Sequence, residues 1–286
     1  MSDRLQIHKT YKLYIDGRFP RSESGRSYQV TDAAGTFLAN AAMASRKDAR
    51  DAVVAARKAF PGWSGATAYH RGQVLYRVAE LLEGRSHQFA AEVAAGEGVG
   101  AEPAEALVSE AIDRCVWYAG WSDKVTQVHG SANAVAGPYF NLSVPEPTGV
   151  VAVLAPQESS LLGLVSVLVP VIVTGNTCVV LASERAPLPA ITLAEVLATS
   201  DVPGGVVNVL TGRTAEVTPW LASHMDVNGI DLAGAGDELA TELRIAAADN
   251  LKRVVPPAPT DWAASPTLDR LLAWLETKTV WHPIGV

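Results

Sequence analysis

The sequence predicts an α/β fold with a doubly wound, mainly parallel sheet, and three observations predict it. Residues 149–155 (GVVAVLA) and 177–181 (TCVVL) are continuously apolar, as strands covered on both faces must be. From 149 onward such strands alternate with helical spans at short spacing, the pattern of a Rossmann-like sheet with helices on both faces. Before them, residues 139–144 alternate strictly, which predicts a half-exposed β element projecting from the body. In sheets of this kind ligands bind beyond the carboxyl ends of the strands.

The elements follow in order. Residues 11–19 alternate around Asp16-Gly17, a dipeptide suited to the positive φ angles of a tight turn, and predict a β-hairpin. Ser45 followed by Asp48 reads as a helix N-cap, and Ala49, Ala52, Val53, Ala56, Ala59 and Phe60 continue at helical spacing to a stop at Pro61-Gly62. Further helices are predicted over 68–83, ending at Gly84, over 86–96 and over 103–121, the last with Ile112, Cys115, Val116 and Tyr118 inward. A ribbon is predicted between 124 and 147, ended by Pro145 and Pro147. Helices at 187–198, 214–224 and 238–250 and strands at 206–210 and 227–232 complete the alternation. After 255 the string PPAPTDWAASP reads as a semi-rigid linker over 256–266. A short helix at 268–275 and an apolar strand at 277–284 follow.

Composition narrows the function. A formal net charge of -7 opposes the electrostatics of nucleic-acid binding, so no nucleic-acid partner is expected. Residues 1–11 hold no apolar leader, and the stretch 161–173 contains Gly163, Ser166 and Pro170 and is too short to span a bilayer. No membrane association and a cytoplasmic location are therefore expected. Cys115 and Cys178 are the two cysteines, with no clustering that suits a metal or a disulfide framework, so no metal site is assigned.

Seven strings in order, YIDGRF, DAVVAARKAFPGW, RGQVLYRVAELLE, PEPTGVVAVLAP, GNTCVVLASERAPLPA, PGGVVNVLTG and AAADNLKRV, make the chain resemble the aldehyde dehydrogenase superfamily from Tyr11 to Val254. The closing string LDRLLAWLETKTVW resembles the family's C-terminal oligomerisation strand. The resemblance implies a coenzyme-binding domain at 1–255 with an oligomerisation ribbon at 124–147, the linker at 256–266, and a C-terminal helix and oligomerisation strand at 267–286. The family's catalytic domain would lie between LKRV and that tail, where this chain has only the proline-rich segment.

The family's chemistry needs a nucleophilic cysteine, a glutamate base and an asparagine at the oxyanion. Cys178 falls inside a strand read as buried and Cys115 on a helix far upstream, so both read as inert core thiols. The glutamate would follow LKRV, where Val254-Val255-Pro256-Pro257 stands. At the oxyanion turn the chain reads Pro156-Gln157-Glu158, and no catalytic residue is assigned.

The resemblance implies NAD or NADP as coenzyme, with Glu184 at the ribose, Gly212 at the adenine pocket and Gly234-Ala235 at the pyrophosphate. Glu184 stands equally as a surface carboxylate and Gly212 equally as a turn glycine. The ribose lysine is missing and Ala235 replaces a serine, so binding is expected to be weak or absent, with a loss on the order of a few kcal/mol.

Three functions follow. The leading one is a non-catalytic subunit that pairs with a complete aldehyde dehydrogenase, or with itself, through residues 125–144 and the 277–284 strand, like the inactive second copy of two-copy members. The others are a nucleotide-binding module without chemistry and an aldehyde oxidoreductase activity that appears only in a hetero-oligomer.

Overall fold

The computed structural model describes residues 9–285; the ends of the first and last predicted segments, residues 1–8 and 286, lie outside the described residues. A small sheet opens the chain, formed by β1 (Thr10–Tyr11), β2 (Ser27–Thr31) and β3 (Phe37–Ala42) in the order β1-β3-β2. Asp16 and Gly17 adopt φ of 52° and 73°, so the tight turn forms. Its arms pair at Ile15 and Arg18 and again where the Leu13 N–H donates to the Pro20 carbonyl, while Tyr14, facing the other way, exchanges hydrogen bonds with Val209 of the main sheet.

Helix α1 (Arg46–Gly65) starts as its sequence predicts, with Ser45 accepting from the Lys47 and Asp48 N–H groups and the Asp48 carboxylate accepting from Ser45. It does not stop at Pro61. The last turn continues because Trp63 is buried there and donates its indole N–H to the Ile172 carbonyl at 2.8 Å, which offsets the helix bond that Pro61 cannot make. Helices α2 (Ala68–Glu83), α3 (Ser86–Glu97) and α4 (Ala101–Trp121) follow, and α4 packs against both α2 and α6 (Leu162–Val173).

The main sheet contains β6 (Val150–Leu154), β7 (Thr177–Leu181), β8 (Val207–Leu210), β9 (Gly229–Asp231) and β10 (Arg253–Val255), all parallel, in the order β10-β9-β6-β7-β8. Successive side chains enter different cores, as the two-residue period requires. Val151, Val153, Cys178 and Val180 join the core under α2, α4, α6 and α7 (Leu188–Leu197). Val150, Ala152, Leu154, Val179 and Leu181 join the core under α1, α8 (Thr214–Ser223) and α9 (Asp237–Ala248). The doubly wound reading therefore holds.

A third sheet, β11-β5-β4, contains β4 (Ser131–Asn133), β5 (Tyr139–Pro147) and β11 (Leu275–Pro283), entered through the short α5 (Val125–His129). Strand β11 pairs antiparallel with all nine residues of β5, from Leu275↔Pro147 to Pro283↔Tyr139. Pro145 and Pro147 do not end β5. Strand β4 reaches only Asn141–Ser143, so beyond it β5 has one neighbour, and the free side tolerates prolines two residues apart.

The segment at 256–266 is held rather than spacer-like. Buried Arg114 donates to the carbonyls of Trp262 and Ala264, both at 2.9 Å, and Arg270 stacks over the Trp262 ring. The closing helix is shorter than predicted, α10 (Asp269–Leu272), because Trp274 is buried and Leu275 already pairs with β5.

Candidate functional site

The candidate site lies where the loops leave the carboxyl ends of β6, β7, β8 and β9. After β6, Pro156 is followed by Gln157, whose amide donates to the Ala155 carbonyl and accepts from the Glu184 N–H at 2.9 Å. The Ser183 hydroxyl donates to the Gln157 carbonyl at 3.0 Å, so this residue ties the ends of β6 and β7 together. Glu158 forms an exposed ion pair with Arg185. Ser159 accepts from the Gly163 N–H at 2.9 Å, and Glu97 accepts from both the N–H and hydroxyl of Ser160. The Gly163 N–H and the Ser160 N–H at the entry to α6 are thus already partnered.

Glu184 and Gly212 come together across the start of α8. Glu184 accepts from the Arg213 guanidinium at 2.6 Å and from the Thr214 N–H at 2.9 Å. Burial alone would raise its pKa, but the Thr214 N–H and Arg213 outweigh burial and hold the carboxyl below the usual range. Its acceptor capacity is spent largely on the helix end, where an acid is favoured. Gly212 adopts φ of 148°, and a Cβ there would lie 3.1 Å from the Ala44 nitrogen. The glycine therefore answers a backbone need and an approach of the α1 entry strand.

Gly234 and Ala235 lie on the other side of β6, beyond β9, and no hydrogen bond joins them to Glu184 or Gly212. A Cβ on Gly234 would sit 2.0 Å from the Ala155 carbonyl oxygen, so this glycine packs directly on the end of β6. The Gly234 N–H donates to the Leu154 carbonyl and the Ala235 N–H to the Leu232 carbonyl. Two donors that could cradle an anion are consumed. The exposed carboxylates of Asp237 and Glu238 occupy the first turn of α9 and already satisfy its dipole. These residues fit a pyrophosphate poorly.

Both cysteines are fully buried, and burial pushes the Cys115 thiol up to about 12, with Arg114 opposing weakly. Cys178 is raised further by burial, against a small contribution from Asn208. Neither supplies a thiolate near neutral pH. Strand β10 ends at Val255, and no carboxylate occurs between it and Asp261. Among the described residues no group of three or more His, Cys, Asp or Glu side chains is arranged to hold a metal.

One polar pair was missed from the sequence. Asp231 closes β9, fully buried, and meets Arg270 at 3.1 Å while accepting from the Ala233 N–H at 3.0 Å. Burial raises its pKa to about 6 against the opposing Arg270 charge. The available signal was an acid inside the otherwise apolar string GIDL.

The fold agrees with that of known proteins. A family model described as "Aldehyde dehydrogenase family" matches residues 19–256. Aldehyde dehydrogenase family 2 member B4 of Arabidopsis thaliana, described as mitochondrial, is 33% identical over 257 residues, covering 87% of this chain and 46% of its own. The crystal structure of HpcC from Thermus thermophilus superposes with a TM-score of 0.83 at 29% identity, covering 87% of this chain and 48% of that one. PnpE, from Pseudomonas sp. WBC-3, solved in complex with nicotinamide adenine dinucleotide, gives a TM-score of 0.81 at 31% identity over 85% of this chain and 50% of that one. The chain spans about half the length of the relatives it matches. With the family model covering most of its length and the parallel sheet in place, this chain belongs to the aldehyde dehydrogenase family.

Proposed function

We propose that the chain is a non-catalytic aldehyde dehydrogenase-like subunit that assembles with a complete NAD(P)-dependent aldehyde dehydrogenase, or with a second copy of itself, through the β4, β5 and β11 sheet. The observation that carries this reading is β11. It is an edge strand whose residues beyond Leu275 are exposed, with Val280 and Trp281 on opposite faces and Tyr139 and Phe140 exposed beside them. A three-stranded sheet whose β4 and outer β11 residues are exposed, with the outer edge of β11 unpaired among the described residues, is a template for another chain. Two fully buried thiols support the non-catalytic part. A cytoplasmic location belongs to the same proposal, supported by the two unpaired thiols; among the described residues no helix is long and apolar enough to cross a membrane.

The test is kinetic. Aldehyde oxidation by a complete aldehyde dehydrogenase from the same source is measured with and without this chain at saturating coenzyme. A change in rate or in stability of the assembled enzyme supports the subunit role, and identical behaviour at every ratio contradicts it.

A second reading is a nucleotide-binding module, favoured by one observation, that PnpE, similar over most of this chain, is solved with the dinucleotide bound. The spent N–H groups at Gly234 and Ala235 and the acids of α9 argue that any such binding is weak. Calorimetry with NAD, NADH and NADP separates the two, since a module of this kind saturates near physiological concentration. Oxidation of an aldehyde only by the mixed assembly would instead place a shared active site in the hetero-oligomer.

A further inference from the structure

We propose that a basic cleft between the first turns of α1 and the C-terminal half of α8 binds the phosphoryl group of a small phosphomonoester, a site independent of the subunit role above. The cleft has a volume of about 560 Å3, a size that suits a small ligand. Arg46, Lys47 and Arg50 line one wall, Trp220, Ser223 and His224 the other, and Glu23 is the single carboxylate in the lining. A surplus of positive charge here stands out in a chain whose net charge is -7.

Arg46 is the central residue. Its guanidinium lies 3.8 Å over the Trp220 ring, and among the described residues it has no hydrogen bond or ion pair. Lys47 reaches Glu23 and Arg50 reaches Asp51, so Arg46 is the cleft cation without a counter-charge among the described residues. A guanidinium held 3.8 Å over an indole face is not consumed by hydrogen bonds there, and its planar fork matches two oxygens of a phosphate. Cations in the first turn of a helix also run against its dipole, so local helix stability does not explain them. The backbone N–H groups of Lys47 and Asp48 are already taken by Ser45, and the ligand is therefore held by side chains rather than by the helix end.

The larger cavity, about 720 Å3 between α1, α2 and β5, offers less. Its buried cation, Arg71, is spent on the carbonyls of Val173 and Ala66, which close two helix ends.

The test is calorimetry of the full chain with inorganic phosphate and with phenyl phosphate, sodium chloride serving as the ionic-strength control. Saturable binding is expected, and Arg46→Ala is expected to weaken it about tenfold, with Arg46→Lys intermediate because charge remains without the fork. Arg77→Ala, removing an exposed arginine paired with Glu80 on α2, is expected to leave it unchanged. All three arginine variants lie on the surface, and a urea midpoint confirms that each folds. Tighter binding of phenyl phosphate assigns the site to an organic ester, and equal binding to free phosphate. No saturable heat up to about 10 mM of either, the weak end of meaningful affinity, overturns the proposal, as does equal binding by Arg46→Ala.

Discussion

Asp231, at the end of β9, and Glu184, beyond the end of β7, are two carboxylates on either side of β6 with opposite pH signatures. The folded Asp231 keeps its proton to about pH 6, whereas the unfolded residue releases it near the ordinary value of 3.8. Between those values the unfolded state binds fewer protons, so stability falls as pH rises, by about 3 kcal/mol at most for a shift of this size. Glu184 is shifted the other way, so its contribution is present above the ordinary value of 4.5 and is lost as pH falls through the lower folded value. Urea unfolding across pH 3–7 should show Asp231→Asn removing the loss on the rising side and Glu184→Gln removing the loss on the acid side. Arg270→Ala, which strands a buried acid, is expected to cost about 3 kcal/mol at pH 7. Gly234→Ala is expected to cost about 2 kcal/mol, since its new methyl would collide with the Ala155 carbonyl. Gly236→Ala, with nothing within 4 Å, should cost less, about 0.5 kcal/mol from its N-cap position on α9. The glycines were legible as a string, but their reason was not, because packing of Gly234 on β6 depends on a strand more than seventy residues away in sequence. Glu184 was legible as an acid near the coenzyme cleft; that Arg213 and the Thr214 N–H had claimed it was not, because capping partners come from a different βα unit.

Elements with one strong period were readable from the chain, and elements governed by neighbours were not. Helix α2 runs over the predicted residues because Val74, Leu75, Val78 and Leu82 bury one stripe and Gly84 closes it. Pro61 misled because the rule that proline ends a helix is local, while the Trp63 side chain reaches Ile172 across the core. Pro145 and Pro147 misled because only the strand pairing reveals that β5 has an empty side there. Strand β10 was lost beside Pro256 and Pro257: three residues carry too little period to be seen, and pairing with β9 defines them. At this scale Ser45→Ala is expected to cost about 1 kcal/mol by removing half of the capping box of α1, read as a urea midpoint. V280K with W281K on β11 is expected to abolish association, read as mass by sedimentation. Both residues are exposed, so the same double variant should shift the monomer's urea midpoint by no more than about 0.5 kcal/mol.

At the scale of the whole molecule, a two-faced parallel sheet and a third sheet exposed at its outer strand share one chain, and burial holds both thiols protonated. Cys115 and Cys178 should therefore resist a thiol-specific reagent in the native state and both react once unfolded, a direct check on their burial. The C-terminal part closes onto the body through Arg114 to the 262 and 264 carbonyls, Arg270 to Asp231, Asn176 and Thr148 to the Trp274 carbonyl, and β11 to β5, among other bonds. What that arrangement leaves open among the described residues is the outer edge of β11 and its exposed side chains, and the central proposal is that another chain covers them. The most direct measurement is the light-scattering mass of the purified chain, alone and mixed with a complete aldehyde dehydrogenase from the same source. The expected result is a stable species heavier than the monomer, either mixed or a self-assembly, that the V280K/W281K variant no longer forms. A strictly monomeric chain that leaves the complete enzyme's mass unchanged at every ratio would contradict it.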